Sequence, residues 1–134
     1  MSNNVGQSKE WLEFARKDLA TAELLIANEG FPEIIAFHCQ QAIEKAFKAY
    51  LAYTGRRFPK THDIQYLCQL CSQSNPVFGN YNDDCSFVGV FYIEARYPIG
   101  IPVNVSGTDA EHALQIAKTV YALVNGLVSK SIQS

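Results

Sequence analysis

The feature that most constrains this chain is a two-residue joint, Phe31-Pro32, set directly after Gly30 between two long apolar stripes. Upstream of it, Trp11, Ala15, Leu19, Ala22, Leu25 and Ile26 recur at the threes and fours that mark one face of a helix. Ser8 stands where an N-cap would, Glu10 falls in the first turn where the helix dipole favours a carboxylate, and Gly30 stops the run after Glu29. Downstream, Pro32 suits a first helical turn because its missing N–H would be unpaired there in any case. Gly55 suits the left-handed position past a last turn, and Ile35, Ala42, Ala46, Ala49 and Tyr53 trace the stripe between them. A link this short lets the second helix do little but fold back antiparallel on the first. Everything else has to pack on that hairpin.

After Gly55 comes a basic loop, Arg56-Arg57-Phe58-Pro59-Lys60. Thr61 reads as the cap of a third, shorter helix with Asp63 in its first turn and Ile64, Leu67, Cys68 and Cys71 on its apolar face. Residues 72–83 contain Asn75-Pro76 and Gly79-Asn80 and read as a loop with room for a short helical turn. Residues 84–97 carry conflicting signals. Phe87, Val88, Phe91, Tyr92 and Ile93 favour a strand, and Gly89 weakens a helix by ~1 kcal/mol. Phe87, Val88, Phe91 and Ala95 nevertheless keep helical spacing, and a lone strand in a helical chain would have no partner, so a helix is expected. Pro98, Gly100 and Pro102 force an extended link; Thr108-x-x-Glu111 then reads as a capping box for a last amphipathic helix carrying Ala113, Ile116, Ala117, Val120, Val124 and Leu127. The expected fold is all-α, an up-and-down bundle of four main helices plus one short helix. It forms one domain over residues 8–130, with frayed ends at 1–7 and 131–134.

At 134 residues such a bundle buries a real core without staples. A net charge of −2 argues against a broadly basic nucleic-acid surface while leaving room for a local basic cleft. No apolar run approaches the ~20 residues that cross a bilayer, and MSNNVGQSKE does not have the pattern of a signal peptide, so a cytoplasmic setting is expected. In that setting Cys39, Cys68, Cys71 and Cys85 are expected as buried free thiols. Cys68-x-x-Cys71 has the spacing of half a zinc site, but no second pair completes it, so neither a metal nor a cofactor is expected.

On the second helix His38, Gln41 and Lys45 step by threes and fours, with Lys48 following, and border the apolar stripe. The succession His38, Gln41-Ala42, Glu44-Lys45-Ala46, Lys48-Ala49, a Gly-containing loop, then Lys60-Thr61-His62-Asp63-Ile64 and Leu67 resembles a HEPN domain, named for nucleotide binding in higher eukaryotes and prokaryotes. Trp11, Ala15, Asp18-Leu19, Ala22 and Leu25 resemble that family's first helix, and Ala95-Arg96-Tyr97-Pro98 the end of its third long helix. The resemblance covers residues 8–130, nearly the whole chain.

What the resemblance implies is a nucleotide- or RNA-associated module, homodimeric through its long helices. The Arg-Tyr-Pro ending is similar to a subgroup found beside a small nucleotidyltransferase in toxin–antitoxin-like pairs. In that reading Arg96 grips a phosphate, Tyr97 stacks on a base, and His38, Gln41, Lys45 and Lys48 line the cleft. The bland reading makes Arg96 a structural partner of Glu94 or Glu44, His38 a satisfied core histidine and the lysines solvated. Many members are metal-independent ribonucleases with an Arg-x(4–6)-His motif, in which imidazole moves a proton and guanidinium holds the phosphate. Arg57-FPKT-His62 has that spacing, but lies before the short helix, with Phe58 after the arginine. Arg96, at the family's usual place, has no histidine within reach; the next is His112. A ligand-free dimerisation bundle stands as the third reading.

Overall fold

The joint after Gly30 does turn the chain back on itself. The computed structural model describes residues 2–92 and 104–133, with side chains described over 4–92 and 104–129. Among the described residues five α-helices and one 3-10 turn follow in order: α1 Ser2–Ala27, α2 Pro32–Tyr53, α3 Ile64–Ser74, the 3-10 turn Pro76–Tyr81, α4 Asn82–Gly89 and α5 Gly107–Gln133. No strand occurs among the described residues, and no described helix is long and apolar enough to cross a membrane.

Helix α2 is the centre of the bundle. It packs most extensively on α1, then on α5, and also touches α3 and α4. A helix surrounded in this way must be apolar on several sides, and Ile35, Cys39, Ala42, Ile43, Ala46, Phe47, Ala49 and Leu51 are all buried. Small side chains let the helices approach: Ala15 and Ala22 of α1, and Ala113 and Ala117 of α5, have no exposed surface. Phe47 and Phe78 close the side toward α3 with rings edge to face, 5.9 Å apart.

The C-terminal ends of α1 and α2 are closed by the same device. The Gly30 N–H donates to Leu25 O and the Glu29 N–H to Ile26 O, while the Arg56 N–H donates to Leu51 O and the Gly55 N–H to Ala52 O. Each pair is a Schellman closure, which requires a left-handed residue. At α2 that residue is Gly55, with φ 76°, as the sequence suggests; at α1 it is Glu29, with φ 57°, rather than Gly30. Gly30 is needed for another reason: a Cβ there would lie 3.0 Å from both Cβ and O of Leu25.

Three helix starts differ from expectation. Helix α1 begins at Ser2, so Ser8 is inside it and not its cap; the fully buried Ser8 hydroxyl donates instead to Ala49 O of α2 at 2.8 Å. Helix α3 is capped by Asp63, whose Oδ1 accepts from the Tyr66 N–H, and Thr61 supports that cap by accepting from the Asp63 N–H. Helix α5 starts two residues earlier than Thr108-x-x-Glu111 implies: Ser106 Oγ accepts from the Asp109 N–H, and Asp109 Oδ2 from the Ser106 N–H. For α3 and α5 the oxygen that reaches the free N–H is on a different residue from the one the pattern suggested. The helix expected over 84–97 runs from Asn82 to Gly89, the residue of lowest helix propensity in that stretch, and residues 93–97 lie outside the described part.

Candidate functional site

The polar edge of α2 is built around Glu44, whose side chain is only 3% exposed. A buried carboxylate needs partners for both oxygens. Oε2 takes Lys48 Nζ at 2.8 Å, an i,i+4 pair, and Oε1 lies 2.9 Å from Nδ1 of His62. Because a carboxylate only accepts, Nδ1 of His62 is the donor in this contact, and in the neutral tautomer Nε2 is then left as an acceptor. One turn earlier on α2, fully buried Gln40 donates through Nε2 to the His62 carbonyl at 2.8 Å. Ring and backbone of His62 are therefore both fixed by α2, while half of its side-chain surface (50%) faces solvent.

The His62 ring stacks on Tyr92, with centroids 5.0 Å apart and planes at 29°, and Tyr92 stacks in turn on Phe37 at 6.1 Å and 13°. His62 and Tyr92 belong to the wall of a cleft of about 590 Å³ between the start of α3 and the end of α4, whose lining also includes Asp63, Gln65, Ser86 and the apolar Ile64 and Val90. It combines flat rings with an amide and a hydroxyl that can read the edge of a planar ligand.

A second cluster repeats the same arrangement. Asp18 of α1 pairs through Oδ1 with Nδ1 of His38 at 3.1 Å and through Oδ2 with Lys45 Nζ. In both clusters the lysine also sits over an α1 ring: Lys48 Nζ is 5.3 Å from the Trp11 centroid and Lys45 Nζ 5.9 Å from that of Phe14. Gln41 donates to Gln40 Oε1 at 3.0 Å. The four α2 candidates thus keep to one side of the helix but divide, His38 and Lys45 going to Asp18, and Gln41 and Lys48 joining the network that holds His62.

Arg57 is not brought to His62. It is exposed and borders a different cleft, of about 310 Å³, with Asn4, Gln7 and Arg56. Arg56 is tied to α3, donating to Leu70 O and to Gln73 Oε1. Arg96 and Tyr97 lie outside the described residues. Sequence reasoning passed over Trp11, Gln40, Gln65, Ser86 and Tyr92 as site residues. Of these, Gln40 had a usable signal, an amide at helical spacing among the apolar Ala36, Ile43 and Phe47.

The four cysteines are free and buried. Burial pushes the Cys39 thiol up to about 12 and raises Cys71, while a hydrogen bond with Cys68, reinforced by burial, raises Cys85. Cys68 Sγ donates to Phe78 O and Cys71 Sγ to Phe47 O, so the C-x-x-C pair packs the core. Among the described residues no group of three or more His, Cys, Asp or Glu is placed to hold a metal ion.

Comparison with known proteins bears on the family and the fold. The HEPN domain family model matches residues 8–127. Among solved structures, the chain is similar to TT1696 from Thermus thermophilus, with 26% identity and a TM-score of 0.77 over 90% of this chain and 97% of that one. It is also similar to ST0689, an archaeal HEPN homologue, at 24% identity and a TM-score of 0.73 over the same shares, a likeness of fold. No curated protein matches the sequence.

Proposed function

The chain belongs to the HEPN domain family, and on that premise we propose that it is a nucleotide- or RNA-associated module of the cytoplasm whose binding site is the His62 cleft. The observation that carries this reading is the His62–Tyr92 stack, held in place by a buried carboxylate and set in a cleft wall. A nucleobase presents a flat face to the half-exposed imidazole and an edge to Gln65 and Ser86. Stacking of this kind contributes ~1–3 kcal/mol per base. Arg96 follows Tyr92 by only four residues, within ~14 Å of chain. The proposal extends to Arg96 and Tyr97 as phosphate grip and second stacking ring, and to His38, Gln41, Lys45 and Lys48 as the polar flank. It also extends to a homodimer and to a small nucleotidyltransferase as companion in a toxin–antitoxin-like pair.

Titration of the folded protein with mononucleotides and short RNAs tests the reading. His62→Ala is expected to weaken binding ~10-fold, in line with one lost stacking contact; wild type that binds neither class of ligand overturns it. Light scattering tests the dimer, and co-purification with the nucleotidyltransferase tests the pair.

One observation favours a second reading, a metal-independent ribonuclease. The Glu44–His62 hydrogen bond orients the imidazole with Nε2 free to take or return a proton. Incubation of a mixed RNA pool in EDTA with wild type, His62→Ala, Arg57→Ala and Arg96→Ala decides it. Cleavage lost with His62 supports the enzyme. A clean, dimeric wild type that neither cuts nor binds RNA leaves the ligand-free adaptor bundle.

A further inference from the structure

Three clefts lie in succession along the α2–α3 loop, and each shares a wall with the next. Phe58 is common to the Arg57 cleft and to a middle cleft of about 360 Å³ that also contains Trp11, Lys48 and Lys60. His62 is common to that middle cleft and to the large cleft containing Tyr92. Cations and rings therefore alternate from one end to the other. This alternation is what a single-stranded nucleic acid requires, since cations neutralise the backbone and rings stack the bases.

The Arg57 end is built as an anion site. Arg57 is exposed and, among the described residues, has no hydrogen bond or ion pair, whereas its neighbour Arg56 is anchored to Leu70 O and Gln73. Asn4 and Gln7 bring side-chain amides from the first turns of α1. Gly55 leaves room for the first of them, since a Cβ at that position would lie 3.0 Å from Asn4 Nδ2. On a chain of net charge −2, placing Arg56, Arg57 and Lys60 within five residues makes this loop a local positive strip.

We propose that the Asn4–Gln7–Arg57 cleft is a phosphate subsite, joined through the Trp11–Phe58 cleft to the base site at His62, and that the ligand is a single-stranded oligonucleotide rather than a mononucleotide. This rests on the base-binding reading above and adds a length requirement to it. The phosphate at Arg57 belongs to a nucleotide distant from the base at His62, so the two ends contribute separately.

The test is fluorescence anisotropy of the full chain with a series of labelled RNAs, from a mononucleotide to ~8 nucleotides, at two salt concentrations. Affinity is expected to rise at least ~10-fold along the series. Arg57→Glu and Lys60→Ala are expected to weaken the longest RNA ~10-fold, to flatten its salt dependence and to leave the mononucleotide unchanged. Circular dichroism confirms that both variants fold. Affinity that does not depend on length, or a longest RNA indifferent to both substitutions, overturns the phosphate subsite while the base site stands. No binding by any member of the series overturns the base site and this extension together.

Discussion

Oε1 of Glu44 lies 2.9 Å from Nδ1 of His62, which joins a carboxylate buried in the middle of α2 to an imidazole half-exposed beyond the basic loop. The other oxygen of the same carboxylate holds Lys48, whose side chain is 8% exposed. Glu44→Gln removes the negative charge and leaves the ammonium of Lys48 buried without a counter-charge. Breaking a buried pair in this way costs about 3 kcal/mol or more, whereas replacing both partners with apolar side chains is close to neutral. Urea unfolding of Glu44→Gln should therefore show a loss of ~3 kcal/mol, and the double variant Glu44→Leu/Lys48→Met should recover most of it. Equal losses in the single and double variants would show that the pair is not the cause.

The end of α1 carries a different kind of stored cost. Glu29 occupies the left-handed region at φ 57°, where a side chain with a Cβ costs ~1 kcal/mol that glycine avoids. Glu29→Gly is accordingly expected to stabilise the protein by ~0.5–1 kcal/mol. Gly30→Ala should do the opposite and cost ~1–3 kcal/mol, because the new Cβ meets Leu25 backbone and side chain at 3.0 Å. Thermal unfolding of the two variants side by side checks the pair, and the opposite signs are the informative part.

These two positions also show why the fold could be read further than the site. The hairpin depended on strong, local signals, a proline, a glycine and a long apolar period, and it formed where they placed it. The termini depended on which oxygen reaches which N–H. Ser8 and Thr61 both have the chemistry of a cap, yet Ser8 finds Ala49 O across the helix pair and Thr61 serves Asp63 instead. The site was less legible still. His62 was singled out for its distance from Arg57 in sequence, but its partners are Glu44 and Gln40 from a helix packed beside it and a ring, Tyr92, from a segment whose own pattern was ambiguous. No spacing rule brings 44, 62 and 92 together; only the packing of α3 and α4 on α2 does.

The cysteines make the protein's stability depend on alkaline pH. In the folded chain the thiol of Cys39 is raised by burial from 9.0 to about 12, and those of Cys71 and Cys85 are raised as well. Above pH ~9 the unfolded chain gives up these protons while the folded chain keeps them, so the unfolded state binds fewer protons and unfolding becomes easier as pH rises. Below that pH these three thiols are protonated in both states and contribute no slope, while Cys68, lowered by its hydrogen bond with Cys85, works in the opposite sense. Urea midpoints should therefore fall beyond pH ~9, each raised thiol adding up to ~1.4 kcal/mol per pH unit. Cys39→Ala should make the fall shallower. The same burial predicts that a maleimide labels none of the four cysteines in the native protein and all of them in urea.

The only tryptophan, Trp11, offers a direct view of the middle cleft. Its indole lies under Lys48 Nζ at 5.3 Å and shares the cleft with Phe58 and His62, whereas the large cleft at Tyr92 is lined without it. A mononucleotide confined to the His62–Tyr92 end leaves the indole's surroundings unchanged. An oligonucleotide that runs on toward Arg57 must pass the ring and stack near it, and base stacking quenches indole emission. Titration with a mononucleotide should give little change in tryptophan fluorescence, and titration with an RNA of ~8 nucleotides should give clear saturable quenching. In Arg57→Glu the quenching curve should move to ~10-fold higher RNA concentration with the same end point, because the strand still reaches the middle cleft but is no longer held at its far end. Strong quenching by the mononucleotide would place the base in the middle cleft instead, with Trp11 rather than Tyr92 as the ring that completes the site.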